Sequence, residues 1–417
     1  MAGTTPGTPR VLRAMNDRAA LDLLLAHGPL SRGRIGKLTG LSKPTASQLL
    51  ARLEAAGLVV VTGTSEGRPG PNAQLYAVNP AAAHVAALDV TSTRLLAAVA
   101  DITGRTAGTF ELPTPGRQAG ADTVRQVLQA VDGAAKTAGV HRSGLQRIVI
   151  GTPGAFDPGT GRLRYASHLP GWHSPTLLDE LAAALPMPLE YDNDVNLAAV
   201  AEQRLGAAGG HEDFVLLWNE QGLGAAVVIG GKLHRGRTGG AGEVGFLPVP
   251  GTPLVRRPGQ SNSGGFQELA GANAVLLHAR ELGLEYDQQA QWKDAAAQLL
   301  AHAAERAAAG EGDAAGDAVD ADTAAAYDAL LRRHATDLAT GLASVVALLD
   351  PELIVLSGGL PAAGGEPLRE LVRAELSELA VPRPRLVLGT VTEHPVLSGA
   401  LESALATTRD EVFDTSR

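Results

Sequence analysis

An α/β chain with a winged helix-turn-helix at its N-terminus is the fold class predicted by three observations. Three short helical patterns closed by glycine fill the first 57 residues. Two apolar strand patterns around a Gly/Pro-rich loop follow them, and strand and helix patterns then alternate from about residue 84 onward. At 417 residues the chain exceeds one ordinary core and is expected to form a head over 1–80 and a larger body over 81–417. Charge follows the same division. Residues 1–80 hold nine Lys/Arg against four Asp/Glu, a balance of +5, so the remainder carries -14 of the net -9. A basic head on an acidic body fits a nucleic-acid reader joined to a different module; a basic solvated face is the alternative. Aromatic residues make up only 3%, so the cores must rest on Ala, Leu and Val. The absence of cysteine excludes disulfides, thiolate zinc sites, iron–sulfur clusters and a cysteine nucleophile. The N-terminal stretch lacks the apolar region of a secretory signal, and no window reaches roughly 18 uninterrupted apolar residues, which predicts a cytoplasmic protein.

The head opens with "NDRAALDLLLAHG", where Asn16 is a cap-type residue, Leu21, Leu24 and Leu25 share a face, and Gly28-Pro29 ends the pattern. "LSRGRIGKLTG" makes a second helix, with Ser31 as N-cap, Ile35 and Leu38 as the expected buried pair, and Gly40 as the stop. Leu41 and Ser42 turn into "KPTASQLLARLEAAG", a third helix that tolerates Pro44 in its first turn and faces Leu49, Leu50 and Leu53 inward. That spacing is helix-turn-helix. The inward leucines leave Lys43, Thr45, Ser47, Gln48 and Arg52 largely on other faces. There short polar side chains suit base edges in a major groove and the cations suit phosphates. "LVVVTG" and "NAQLYAVNP" form a wing whose loop places Arg68 beside Pro69 and Gly70, suited to a narrow minor groove or simply a solvated loop charge. A winged helix that docks protein instead of DNA is the alternative for the whole head.

The body begins with "HVAALDVTSTRLLAAVADITGRTAGTFEL", three strand patterns with Asp89 near the end of the first. "TVRQVLQAVDGAAKTAG" is an amphipathic helix, and "LQRIVIGTPGAFD" a buried strand entering a Gly-Pro-Gly loop. "FVLLWNEQGLGAAVVIGGKLHRGRTGGAGEVGF" repeats the plan, with a strand from Phe214 and a second at "GAAVVIGGKL", which hints at a duplicated domain. The Ala/Asp-rich segment 293–327 reads as long surface helices with a flexible link. "ELIVLSGG" is an apolar strand delivering a Gly-Gly turn, a usual meeting place of backbone with a nucleotide or sugar.

Taken in order, the winged helix, "GTPGAFD" at 151–157, "LPGW" at 169–172, "DNDVN" at 192–196, "GKLHRGRTGGAGEVG" at 231–245, "GGFQE" at 264–268 and "IVLSGG" at 354–359 resemble the ROK family of sugar kinases and winged-helix, sugar-responsive repressors. The resemblance covers nearly the whole chain. It implies an actin-like (ribonuclease H-like) two-lobed body of sugar-kinase type, with lobe one over about 81–195 plus the C-terminal helix and lobe two over about 196–390. Asp194 matches the family's general base, the carboxylate that takes a proton from a sugar hydroxyl. Asn193 matches its sugar-contacting neighbour, and Glu243 and Glu268 match two further sugar contacts. These acids alternatively serve only to cap helices and order turns.

The phosphate side departs from the pattern. Where family kinases carry a Gly-Gly-Thr turn, this chain has Asp89-Val90-Thr91-Ser92-Thr93, and side chains replace both glycines. The second phosphate loop resembles Asn219–Gly224, in which Glu220 brings a carboxylate toward the expected place of anionic phosphates. The family's zinc histidine and three cysteines correspond here to Phe246, Gly259, Ser261 and Phe266, so no zinc is expected. Phe246 also removes a sugar contact. The resulting expectation is a DNA-binding transcriptional regulator, a repressor, that senses a sugar effector and reads a two-fold operator as a homodimer or dimer of dimers. An ATP- and magnesium-dependent sugar kinase with a DNA-binding appendage is the second reading, and an effector-free scaffold the third.

Overall fold

The computed structural model describes residues 9–65, 73–114, 122–157, 162–164, 169, 171–172, 174, 176–220, 222–256, 264–309 and 321–416. The chain divides into two compact units, one of Met1–Gly151, Thr176–Tyr191 and Ala400–Arg417, the other of Thr152–Pro175 and Asp192–Gly399.

The first unit starts with α1 (Pro9–His27), β1 (Leu30–Ser31), α2 (Arg32–Thr39), α3 (Lys43–Ala55), β2 (Val59–Thr64) and β3 (Gln74–Val78). Helix α1 begins well before Asn16, so that residue is internal instead of capping. Pro9 is tolerated in the first turn, and nothing from Arg10 to Met15 breaks a helix. Ser31 and Ser42 do cap, accepting from the amides of Arg34 at 3.3 Å and Thr45 at 3.4 Å. Gly40 closes α2 in the left-handed region at φ 72°. Ile35, Leu49, Leu50 and Leu53 are buried, but Leu38 is 39% exposed, because α2 has only two turns and turns just Ile35 and Gly36 inward. The wing is a three-stranded sheet, not the expected hairpin: Leu30 pairs with Tyr76 and Ser31 with Leu75. A two-residue strand carries no periodicity to read. Ala83, Ile102 and Phe413 complete the head's core, so the end of the chain is built into it.

The same unit continues with β4 (His84–Val90), β5 (Arg94–Asp101), β6 (Thr106–Pro113), α4 (Thr123–Thr137), β7 (Leu145–Thr152), α5 (Leu177–Ala184) and β10 (Leu189–Asn193); the small pair β8 (Ala155–Asp157) and β9 (Arg162–Arg164), between β7 and α5 in sequence, belongs to the second unit. The sheet order is β10-β7-β4-β5-β6, with β4 antiparallel to β5 and parallel to β7. Buried on both faces, β4 and β5 read as continuous apolar runs.

The second unit holds α6 (Asp194–Leu205), β11 (Phe214–Asn219), β12 (Leu223–Ile229), β13 (Lys232–Leu233), α7 (Gly265–Ala270), α8 (Ala272–Glu281), α9 (Trp292–Ala309), α10 (Ala321–Leu349), β14 (Leu353–Ser357), α11 (Gly359–Leu379) and β15 (Arg385–Leu388). Its sheet, β13-β12-β11-β14-β15, repeats the plan of the first, with β11 antiparallel to β12 and parallel to β14. The duplication expected from the two strand-turn-strand starts is therefore present. Two details differ from expectation. "GAAVVIGGKL" is a hairpin, since Gly230 and Gly231 take φ of 56° and 72° and turn the chain between β12 and β13. Helix α9 is a core element instead of a surface one, contributing Leu299 and Leu300, whereas α10 is not buried over 321–327 and enters the core only beyond, as at Leu338 and Leu342; the link expected between them lies outside the described residues. Helix α12 (Pro395–Val412) starts in the second unit and ends in the first. At its start Gly399 lies flush on α6, where an added Cβ would stand 1.8 Å from the carbonyl oxygen of Leu197. Among the described residues no helix is long and apolar enough to cross a membrane.

His334 on α10 is fully buried, with neither ring nitrogen hydrogen-bonded among the described residues. Burial, reinforced by His278, pushes it down to about 3 from 6.5. His278 itself faces Asp337, with Nε2 2.7 Å from the carboxylate. The unfolded chain therefore binds a proton below about pH 6.5 that the folded chain refuses, so stability falls with acidification by up to about 1.4 kcal/mol per pH unit. His334→Leu is expected to flatten this part of the unfolding-versus-pH curve, as read by denaturant titration between about pH 6.5 and 5.

Candidate functional site

Helix α3 presents polar residues from its first turn, at Lys43, to its last, at Arg52. Lys43, Thr45, Gln48 and Arg52 are exposed, while Ser47 is half-buried. Their bonding separates them. The Thr45 hydroxyl lies 2.8 Å from that of Ser42, and the Ser47 hydroxyl donates back to the carbonyl of Lys43 at 2.9 Å. Arg52 Nη2 donates to Asp17 on α1 at 2.7 Å. Lys43 and Gln48 have no side-chain partner among the described residues. Arg68 lies outside those residues.

The ligand-type residues gather in the second unit around the first three residues of β12. Val195, next to Asp194, reaches Gly224 so closely that a Cβ there would stand 3.2 Å from Cγ2 of the valine. Gly242, next to Glu243, accepts from the amide of Ala225 at 2.8 Å. Gln267, next to Glu268, accepts from the amide of Leu223 at 2.5 Å. One strand end thus carries all three segments. Asn193 is the N-cap of α6, accepting from the amides of Val195 at 2.9 Å and Asn196 at 3.2 Å, and its amide group donates to the carbonyl of Gly154 at 3.0 Å. Its side chain is thus already spent on structure. Asp194 is half-buried at the first residue of α6, with one oxygen accepting from the Val195 amide at 2.8 Å. Glu268 is exposed in the first turn of α7.

Glu243 is half-buried, and its carboxylate has no hydrogen-bond donor among the described residues. Burial pushes its carboxyl above the usual range. Ionisation therefore opposes folding: the cost is absent below the ordinary carboxylate range and complete once pH has passed the raised value. Glu243→Gln is expected to raise Tm at about pH 7.5 and to leave it unchanged at about pH 4, as measured by thermal melts at both.

Arg235 is a residue that sequence reasoning missed. Its guanidinium donates through Nε at 3.1 Å and Nη2 at 2.5 Å to the buried Asp192, whose other oxygen accepts from the Asn193 amide and from Asn196 Nδ2. The start of α6 is thereby tied to the segment that carries Glu243. The signal available in the sequence was the first aspartate of "DNDVN", a buried carboxylate in need of a cation.

The two loops that depart from the family's phosphate pattern are ordered by their own side chains. In the first unit the Thr91 hydroxyl accepts from the amides of Thr93 at 3.4 Å and Arg94 at 3.1 Å, and Arg94 Nη2 donates to the buried Asp89 at 3.1 Å. Side-chain bonds close this turn where glycines would leave bare backbone. In the second unit Glu220 pairs with Lys293 Nζ at 3.2 Å, so its charge is offset and the repulsion expected from sequence is weakened. The Glu220 side chain still lies by Gly359 at the start of α11, where an added Cβ would be 3.6 Å from its Cγ. A helix N-terminus favours an anion, and here the chain supplies one itself. Gly358, at φ 95°, leaves no room for a Cβ against Asn219.

Two of the four positions that correspond to the family's zinc ligands are described, and neither bears a donor atom. Phe246 is half-buried. Phe266 is fully buried against α10, where a Cβ on Gly341 would meet its ring at 2.2 Å. Gly259 and Ser261 lie outside the described residues. Phe246 and Phe266 offer a metal no ligand atom, and apolar packing anchors α7.

Comparison with known proteins agrees with this anatomy. The ROK family description matches residues 85–401, and that of the MarR family matches residues 8–68. The chain is 29% identical over 259 residues to the glucokinase of Thermotoga maritima, covering 61% of this chain and 77% of that protein. It is 28% identical over 294 residues to the xylose repressor of Caldicellulosiruptor bescii, covering 69% and 72%. The crystal structure of a ROK family transcriptional regulator, a homolog of the E. coli MLC protein, superposes with a TM-score of 0.70 over 97% of this chain and 98% of that one at 19% identity, which speaks to the fold. A winged helix with an α/β sugar-kinase-like body behind it, matched over most of its length, means that the chain belongs to the ROK family.

Proposed function

We propose that this protein is a DNA-binding transcriptional regulator, a repressor, whose sugar-kinase-like body senses a sugar or sugar-derived effector and which acts as a homodimer on a two-fold operator. The observation that carries this reading is the pair Lys43 and Gln48, exposed and without a side-chain partner among the described residues in the first half of α3, on a helix whose other face is occupied by Leu49, Leu50 and Leu53. A cation and an amide so placed suit a phosphate and a base edge. The similarity to a repressor named for xylose supports both the operator and the sugar. The threonine-closed turn after Asp89, and Glu220 beside the start of α11, support a sensor over a phosphotransferase. The body holds no resident zinc in this reading, since Phe246 and Phe266 provide no donor.

Asp194 and the similarity to glucokinases favour a second reading, an ATP-dependent sugar kinase with a DNA-binding domain. One set of measurements separates the two. The full chain is expected to select duplexes from a random-sequence pool. Glucose or xylose is expected to change both its Tm and its affinity for the selected duplex, without ADP release from ATP and magnesium. Sugar-dependent ADP release would establish the kinase instead.

A further inference from the structure

The C-terminal end of the chain is built into the DNA-binding head through one buried carboxylate. Asp17, on α1, is 3% exposed, one turn before Ala20 and Leu21 of the head's core. A carboxylate this buried must be paired and hydrogen-bonded to be tolerated. It has two partners from opposite ends of the sequence. Arg52 Nη2, from the last turn of α3, donates to Oδ1 at 2.7 Å, and the Thr415 hydroxyl, beyond the end of α12, donates to Oδ2 at 3.0 Å. The tail is seated there by further contacts. Phe413 is buried in the head's core, with the Arg18 guanidinium 5.8 Å from its ring centroid, and Arg18 Nη1 also donates to Asp410 at 2.8 Å. Arg409 Nε donates to the carbonyl of Ile102 at 2.9 Å.

We propose that Thr415 is a positioning residue for DNA binding: by fixing Asp17, it fixes which way Arg52 of the recognition helix points. The proposal rests on the regulator reading above. Arg52 remains 42% exposed at its side chain while Nη2 is tethered, so the tether restricts the guanidinium without closing it off from a phosphate. A planar donor held in place loses less freedom on meeting a phosphate than a free one does. Without the threonine hydroxyl, Asp17 has one oxygen unanchored and a second rotamer open to it, and Arg52 follows.

The test uses the full chain with a duplex selected from a random-sequence pool, and four variants: Thr415→Val, Thr415→Ser, Arg52→Ala and Thr415→Val with Arg52→Ala. Thr415→Val is expected to weaken binding roughly three- to tenfold, the range for the net contribution of one ordinary hydrogen bond, since the threonine acts on Arg52 only through Asp17. Thr415→Ser is expected to restore it. On top of Arg52→Ala, the valine is expected to add less than about a twofold further loss, because both changes act through one guanidinium. A valine variant that binds like the parent, or a loss that adds in full to that of Arg52→Ala, overturns the proposal. Amide hydrogen exchange of the DNA-free protein gives an independent reading: the valine variant is expected to exchange faster at the C-terminal turn of α3, and unchanged rates there also overturn it. A parent chain that selects no duplex refutes the regulator reading, and the exchange rates then still decide the tether.

Discussion

Lys43→Ala is expected to weaken operator binding about tenfold near 0.15 M salt and to lower the slope of log affinity against log salt by about one. Gln48→Ala is expected to leave that slope unchanged and to flatten the preference at one base position by about 1–3 kcal/mol. The distinction follows from the bonding of α3. Lys43 is an exposed cation with no acidic partner among the described residues, so all of its charge is available to displace a counterion from a phosphate. Gln48 offers a donor and an acceptor without charge, the combination that reads an adenine edge. Thr45 and Ser47 are expected to contribute less, because their hydroxyls are already engaged with Ser42 and with the carbonyl of Lys43. Filter binding or fluorescence anisotropy at four salt concentrations measures both parameters. Equal salt slopes and equal base preference in the two variants and the parent would remove α3 from the interface.

Gly242→Ala is expected to abolish the response to sugar. Its φ is 93°, a conformation costing a residue with a Cβ about 1–3 kcal/mol, and the added carbon would stand 1.9 Å from the carbonyl oxygen of Ala225. The segment must lift away from β12, carrying Glu243 with it and breaking the bond from the Ala225 amide. Calorimetry is expected to show sugar binding lost, and thermal melts to show a lowered Tm. Operator affinity in the absence of sugar is expected to stay within about twofold of the parent, because Gly242 belongs to the second unit and the recognition helix to the first. Undiminished sugar binding would mean that Glu243 takes no part in it.

The architecture was legible where periodicity is long and capping chemistry is strong. Ser31 and Gly40 announced their helix ends because a hydroxyl acceptor or a left-handed glycine has few other reasons to stand there, while Ser42, read as part of a turn, proved to be a cap as well. Asn16 misled for the same reason: an asparagine within a run of helix formers is tolerated, and nothing local distinguishes it from a cap. The pairing of Leu30 with Tyr76 was invisible, since two residues carry no pattern and the partner is remote in sequence. At the ligand site the residue types were readable, and so was their common segment order. Their partners were not. Arg235 on Asp192, Arg94 on Asp89 and Lys293 on Glu220 are ion pairs, and in the first and last the partners are 43 and 73 residues apart. Lys293 bears on the argument most, because a carboxylate that stood for repulsion in the sequence is half of a neutral pair in the fold.

Near the start of α12, Gly399 lies flush against the carbonyl of Leu197, and Phe413, the residue after its end, is sunk among leucines of the head. At 1.5 Å per residue the helix is a rod of roughly 27 Å. Where main chain rests on main chain no side chain can rearrange, so a methyl added at Gly399 would have to displace the backbone itself.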